Sequence, residues 1–165
     1  MLSELFNAVS AVLRRPSMRV VTKTISGAHT LAYRVTGGRA QNGKYPTMLL
    51  TVTGRSTGKA RTVPVIYVRD GERFVIAAAY SGSDTDPSWW RNLQADPRAE
   101  VQVRGETIHV SAAEADPGER PRLWERLVQM YPYFTVYQRR TERAIPVVVL
   151  TPDPSRGSPS GGMAH

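Results

Sequence analysis

Between Thr53 and Pro64 the chain reads TGRSTGKARTVP, which places three fixed cations (Arg55, Lys59, Arg61) and two hydroxyls (Ser56, Thr57) within seven residues. Gly54 and Gly58 let backbone N–H groups in this stretch approach a ligand closely. Such a loop suits a phosphate or a polycarboxylate. Each cation can add a charge-assisted hydrogen bond of roughly 1.5–3 kcal/mol, and the guanidinium fork matches phosphate geometry. It is not the Walker phosphate loop, which needs four residues between its glycines and Gly-Lys-Ser/Thr at its end. Here three residues separate Gly54 from Gly58, and Ala60 follows Lys59. A solvated hairpin loop is the competing reading of the same residues. A second concentration is aromatic: Tyr131, Tyr133, Phe134 and Tyr137 fall within seven residues broken by Pro132. A pocket wall, a buried aromatic patch and a dimer contact all fit it.

The elements around these residues follow from local pattern. The runs Thr47–Thr53 and Thr62–Val68 are rich in β-branched residues and make the basic loop a strand-to-strand connection. Asp70-Gly71 turns the chain into a strand over Arg73–Ala79. Asp86-Pro87 reads as N-cap and first-turn proline of a short helix to Ala95. Glu100–Arg104 and Thr107–Ala113 alternate about Gly105 as a hairpin. Asp116-Pro117 starts a helix with Leu123, Leu127 and Val128 on one face, stopped or kinked at Tyr131-Pro132, and Pro146–Leu150 is a last strand. Residues 20–46 carry no clear pattern; His29–Val35 reads as helix or strand. Upstream, Leu2, Leu5, Phe6, Val9, Val12 and Leu13 recur at helical spacing before Pro16. That amphipathic helix suits packing on the domain or on a second subunit, with peripheral membrane contact as an alternative. The order predicts a mainly β, α+β domain: six or so strands in an antiparallel sheet closed into a barrel, with short helices packed on it.

Length and composition narrow the function classes. The chain has 165 residues, enough for one domain with a normal core. It has no cysteine, which removes disulfides, thiolate metal sites and cysteine nucleophiles, and His29, His109 and His165 are far apart. No metal site is expected, and no paired carboxylates or Ser/His/Asp set is apparent. From Leu5 to Arg69 there is no acid against eleven Lys and Arg, so the first half predicts a positive surface for an anionic partner. No run approaches the ~20 apolar residues of a membrane span. The start does not read as a signal peptide, because Glu4 precedes the apolar part and Arg14-Arg15 follows it. A cytoplasmic protein is expected, with association at a membrane surface left open.

Four blocks in register, TGRSTGKARTVPVIYVRDG (53–71), DPSWWRNLQADP (86–97), LWERLVQMYPYFTVYQRRTER (123–143) and IPVVVLTP (145–152), give this chain a resemblance to the deazaflavin-dependent nitroreductase and quinone reductase family. The resemblance implies a split β-barrel, as in flavin-binding relatives of the pyridoxamine-phosphate-oxidase type, and coenzyme F420, a flat ring with a phosphate and an oligoglutamate tail. With the apolar periodicity of the start and the lack of apolar content after Pro152, the expected division is an N-terminal helix over 1–18, a deazaflavin-binding barrel over 19–152 and a disordered tail over 153–165.

By analogy Arg55, Ser56, Thr57, Gly58, Lys59 and Arg61 hold the phosphate and lead the tail away. Thr62, Val63, Pro64, Val65 and Ile66 line the ring, and Ala77, Ala78, Ala79 and Tyr80 face its reactive side. Ser88, Trp89, Trp90, Arg91 and Asn92 close the pocket. Tyr131, Tyr133, Phe134 and Tyr137 form the acceptor side, with Phe134 also near the cofactor. Tyr131, Tyr137 and Tyr80 are the candidates to donate a proton or hydrogen bond to a carbonyl or nitro oxygen receiving hydride. The resemblance implies an F420H2-dependent reductase of a small, apolar, electron-poor acceptor (a quinone, enone or nitro compound).

Two departures narrow that set. Many members carry Ala-Ser-Lys-Gly-Gly where this chain has Ala78-Ala79-Tyr80-Ser81-Gly82, and Phe134 stands where nitroimidazole-reducing members have tyrosine. Both remove hydrogen-bonding groups, so weak or absent activity on bicyclic nitroimidazoles is expected, with quinone-like or enone acceptors favoured. The alternatives are an FMN-binding split barrel and a non-enzymatic binder of deazaflavin or another polyanion. A glycine-bounded loop favours one specific anion over a diffuse polyanion, so no nucleic acid is expected.

Overall fold

A computed structural model describes residues 44–156. The expected N-terminal helix, the His29–Val35 segment and the tail beyond Arg156 lie outside the described residues. Seven strands, β1 (Thr47–Thr53), β2 (Ala60–Ile66), β3 (Val68–Asp70), β4 (Arg73–Ala77), β5 (Arg98–Val103), β6 (Glu106–Glu114) and β7 (Val147–Pro152), form one sheet. Its order is β2-β1-β5-β6-β7-β4-β3, with every neighbouring pair antiparallel. One residue, Tyr67, separates β2 from β3, yet these strands lie at opposite ends of the order. The sheet must therefore curl until its ends meet, which gives the expected split barrel. Among the described residues three helices accompany it: α1 (Ser88–Ala95), α2 (Arg120–Met130) and α3 (Tyr133–Arg139).

Strand alternation sorts side chains into two cores, as the period of two requires. Phe74, Ile76, Val148 and Leu150 point into the barrel with Met48, Leu50, Val52 and Val101, and α1 plugs it with Trp90 and Leu93. The intervening residues Val75, Val147 and Val149 point outward and bury against Leu123 and Leu127 of α2 and Phe134 and Tyr137 of α3. The β3–β4 turn fastens α2: the Asp70 carboxylate accepts from Arg73, Arg122 and Arg126, and Glu119 also accepts from Arg73.

Several boundaries differ from the sequence expectation. The strand expected over Thr62–Val68 starts earlier and breaks at buried Tyr67, whose N–H donates to the Pro46 carbonyl at 3.2 Å where the chain crosses between sheet ends. The Arg73 strand ends at Ala77, ahead of three consecutive left-handed residues, Tyr80 (φ 45°), Ser81 (φ 56°) and Gly82 (φ 77°). Asp86 is not the N-cap of α1. Pro87 takes that place without a side-chain cap, and the Asp86 carboxylate accepts from Arg143 at 2.9 Å. The 116–117 helix signal is displaced to Arg120, because the Asp116 carbonyl first closes a turn onto Glu119 and Arg120. The β5–β6 hairpin turns at Arg104-Gly105, both with positive φ as a type I′ turn requires. The first tail residues are held: Asp153 N–H donates to His109 O at 2.8 Å, and Pro154–Arg156 make one 3-10 turn.

Candidate active site

The basic loop joins β1 to β2 and is closed by its own backbone. Gly54 N–H donates to Lys59 O at 2.8 Å, and Gly58 N–H to Gly54 O at 2.7 Å. Gly58 adopts φ 68°, which favours glycine, and a Cβ at Gly54 would press against Thr57 Oγ1 at 2.9 Å and Lys59 O at 3.2 Å. Arg55, Ser56, Thr57, Lys59 and Arg61 are all exposed on it. Arg55 alone is fixed from beneath, its backbone N–H and its Nη1 both donating to Asn92 Oδ1, at 3.2 and 2.7 Å. Asn92 is 6% exposed on α1, so its side chain serves Arg55 rather than the surface. Thr62 Oγ1 lies 2.8 Å from Thr51 Oγ1 across the strand pair.

Further along β2 an apolar cleft of about 260 Å³ opens where the two ends of the curled sheet approach. Pro64, Val65 and Ile66 form one wall. Ala77, Ala79, Tyr80 and Ser81 form a second wall, Tyr131, Phe134 and Tyr137 an aromatic third, and Trp89 also lines the cleft. Ten residues expected at the site from sequence are thus brought to one cleft, and no lining side chain carries a charge. Proline is tolerated at position 64 because β2 is an edge strand, with only β1 to satisfy. Other expected residues lie elsewhere. Val63 packs on the barrel core, and Ala78 and Trp90 are buried inside it. Ser88 and Arg91 are exposed on α1, and Tyr133 stacks behind Tyr131 with ring centroids 5.2 Å apart.

Within the aromatic wall the Tyr131 and Tyr137 hydroxyl oxygens lie 3.3 Å apart. Burial, reinforced by the Tyr137 hydroxyl, pushes the Tyr131 phenol well above its ordinary value. At neutral pH it is a neutral hydroxyl that can donate a hydrogen bond. Phe134 meets Tyr131 edge-on at 5.0 Å. On the opposite wall Tyr80 is 48% exposed, held at the mouth by the left-handed run. Gly82 makes that run possible: a Cβ there would lie 2.5 Å from the Tyr137 carbonyl oxygen.

Two contributors were invisible to sequence reasoning. Tyr45 presents its ring perpendicular to Tyr131 at 4.8 Å, from a segment with no readable pattern. Arg143 donates to the Ala78, Ala79 and Ser83 carbonyls as well as to Asp86. Nothing in the local run Arg139–Arg143 distinguishes it from its neighbouring cations.

The F420H(2)-dependent quinone reductase family model matches residues 25–152 of this chain. The chain is 38% identical over 129 residues to the F420H(2)-dependent quinone reductase Rv1261c of Mycobacterium tuberculosis, covering 74% of this chain and 87% of that protein. Among solved structures it is similar to an F420-H2 dependent reductase (FDR-A), with TM-score 0.60 and 34% identity over 64% of this chain and 93% of that one. A structure described as a domain-swapped dimer matches 82% of this chain and 99% of its own, with TM-score 0.62 and 29% identity. Among the described residues no helix is long and apolar enough to cross a membrane.

Proposed function

Because the chain belongs to the F420H(2)-dependent quinone reductase family, a family of oxidoreductases, we propose that it reduces a small, neutral, electron-poor acceptor in the cleft between β2, the Tyr80 turn and α3. The observation that carries this is the continuity of β2. Arg61 stands at its exposed, cationic end and Ile66 in the uncharged cleft, five residues or roughly 16 Å further along an extended strand. That span fits a ligand with an anionic part and a flat apolar part at its two ends, as coenzyme F420 has.

Arg55, Ser56, Thr57, Gly58, Lys59 and Arg61 would hold the phosphate, with Arg55 already oriented by Asn92. Pro64, Val65, Ile66 and Ala79 would flank the ring. When bound, the reduced deazaflavin supplies hydride. The chain's own residues bind, orient and exclude water. The paired Tyr131 and Tyr137 hydroxyls hold a neutral donor toward an acceptor oxygen as it gains charge. The cleft offers that oxygen phenols and one serine but no cation or carboxylate, which favours quinones and enones over charged substrates. Ala79 and Phe134 both line it, so the two hydrogen-bonding groups of the nitroimidazole-reducing pattern are missing from the cleft itself. Bicyclic nitroimidazoles are accordingly poor substrates. The domain-swapped neighbour supports a homodimer for this chain, which light scattering in solution tests.

Titration of the protein with F420, in parallel with FMN, tests the reading through tryptophan emission, since Trp89 lines the cleft and the Trp90 ring lies 6.5 Å from that of Trp89. Saturable quenching by the deazaflavin, followed by oxidation of its reduced form by a quinone, is the expected result. Preference for FMN would change the redox partner, and binding of neither would remove the enzyme reading.

A further inference from the structure

We propose that Arg143 is a positioning residue that fixes the separation of the Tyr80 wall of the cleft from the aromatic wall carried by α3. It lies outside the cleft and after α3, and its side chain is 17% exposed. Its guanidinium donates from three nitrogens in divergent directions: Nε to Ser83 O at 2.8 Å, Nη1 to Asp86 Oδ1 at 2.9 Å, and Nη2 to Ala78 O and Ala79 O at 3.1 Å each. Those acceptors flank the left-handed run Tyr80–Gly82 on both sides. Three consecutive residues in that region are costly for non-glycine side chains and persist only where the surroundings enforce them. Arg143 supplies the part of that enforcement that grips both flanks of the run.

The other end of the strut is equally defined. Gln138, on α3, donates from Nε2 to the Arg143 carbonyl at 2.8 Å, and its Oε1 accepts from Ile145 N–H at 3.0 Å. The residue whose guanidinium grips the Tyr80 wall is therefore gripped by the helix that carries Phe134 and Tyr137. Gly82 packs against the Tyr137 carbonyl, and Arg140 Nη1 donates to Ser81 O at 3.5 Å, so the turn meets the end of α3 at further points. With the strut removed, the turn loses four acceptor contacts and Tyr80 is free to swing from the mouth. The ring and acceptor would then meet a wider cleft. This rests on the reading of the cleft as the reaction site.

The test compares wild type with Arg143→Ala, Arg143→Lys and Asp86→Asn. In the ligand-free protein, hydrogen exchange is followed at Gly82 and Ser83, whose N–H groups donate to Ala79 O and Tyr80 O. Arg143→Ala should exchange these amides about tenfold or more faster while β1 and β5 amides keep wild-type protection. With F420H2 and a quinone, kcat/KM for the acceptor should fall by between about tenfold and a hundredfold, the scale of an ångström of mispositioning, with cofactor affinity at the basic loop little changed. Lysine should not rescue, because one ammonium cannot reach three divergent acceptors. Asp86→Asn keeps the carbonyl contacts and should show the same changes in smaller degree, and it decides the matter if Arg143→Ala does not fold. Unchanged exchange at residues 79–86, or faster exchange with KM and kcat both as in wild type, would overturn the proposal, as would full rescue by lysine. A wild type that binds no deazaflavin would instead overturn the functional reading, and exchange alone would then judge the strut.

Discussion

Gly82→Ala offers the sharpest test of how the cleft is built, because its cost separates into two parts that a second glycine isolates. Gly82 and Gly71 both adopt positive φ, 77° and 61°. At Gly71, in the β3–β4 turn, an added Cβ meets nothing within 4 Å. Alanine there should lose only the left-handed backbone preference, about 1–2 kcal/mol. At Gly82 the same methyl would stand 2.5 Å from Tyr137 O and 3.0 Å from Tyr137 Cα, both backbone atoms of α3. They can yield only if the helix or the turn moves, and overpacking of that kind adds about 1–3 kcal/mol. The expected loss is therefore about 1–2 kcal/mol for Gly71→Ala and about 2–5 kcal/mol for Gly82→Ala. Urea unfolding of both variants, with unchanged denaturant slopes, measures the difference directly. Turnover should follow the same division, since only Gly82→Ala pushes the Tyr80 turn away from α3. Equal stability losses in the two variants would refute the close contact and with it the account of how the two walls are held.

Tyr137→Phe removes one hydroxyl of the pair without emptying the wall, so kcat should fall while deazaflavin affinity holds; unaltered turnover would leave Tyr137 as packing. Arg55→Ala should weaken deazaflavin binding by about 1.5–3 kcal/mol, and Asn92→Ala, which only releases Arg55, by less; an unchanged dissociation constant for Arg55→Ala would take the loop out of the site. Asp70→Asn should reshape the acid limb of stability. Hydrogen bonds from Arg122 first and Arg73 second hold the Asp70 carboxyl well below the usual carboxylate range. A carboxyl depressed on folding stabilises the protein above its unfolded pKa, about 3.9, and that contribution is lost as pH falls towards the folded value. The unfolding free energies of wild type and Asp70→Asn should thus differ by a constant amount near neutral pH and converge below about pH 4. A gap that persists unchanged in acid would contradict the network.

Much of this architecture was legible because its signals are local. β1 coincides with the expected Thr47–Thr53, the Gly105 turn and the Leu123/Leu127 face fall where period and turn chemistry place them, and the basic loop needs only its glycines. What sequence could not convey depends on partners far along the chain. Asp86 has the form of an N-cap but serves Arg143, 57 residues away. Asn92 has the form of a surface amide on a short helix but holds Arg55 from below. Trp89 and Trp90 are adjacent and chemically alike, yet one faces the cleft and the other the barrel interior, a division set by which face of α1 plugs the sheet. Tyr67 has the form of a strand residue until the sheet ends must be joined.

The two cores share β4 and β7 but use alternate residues of each. One consequence concerns divergence. Substitutions at Val75, Val147 or Val149 act on the helical layer and the cleft, while Phe74, Ile76, Val148 and Leu150 keep the barrel closed. Acceptor preference can therefore drift along one surface of a sheet whose reverse holds the barrel closed, which gives selection a way to retune the chemistry while leaving the barrel core untouched.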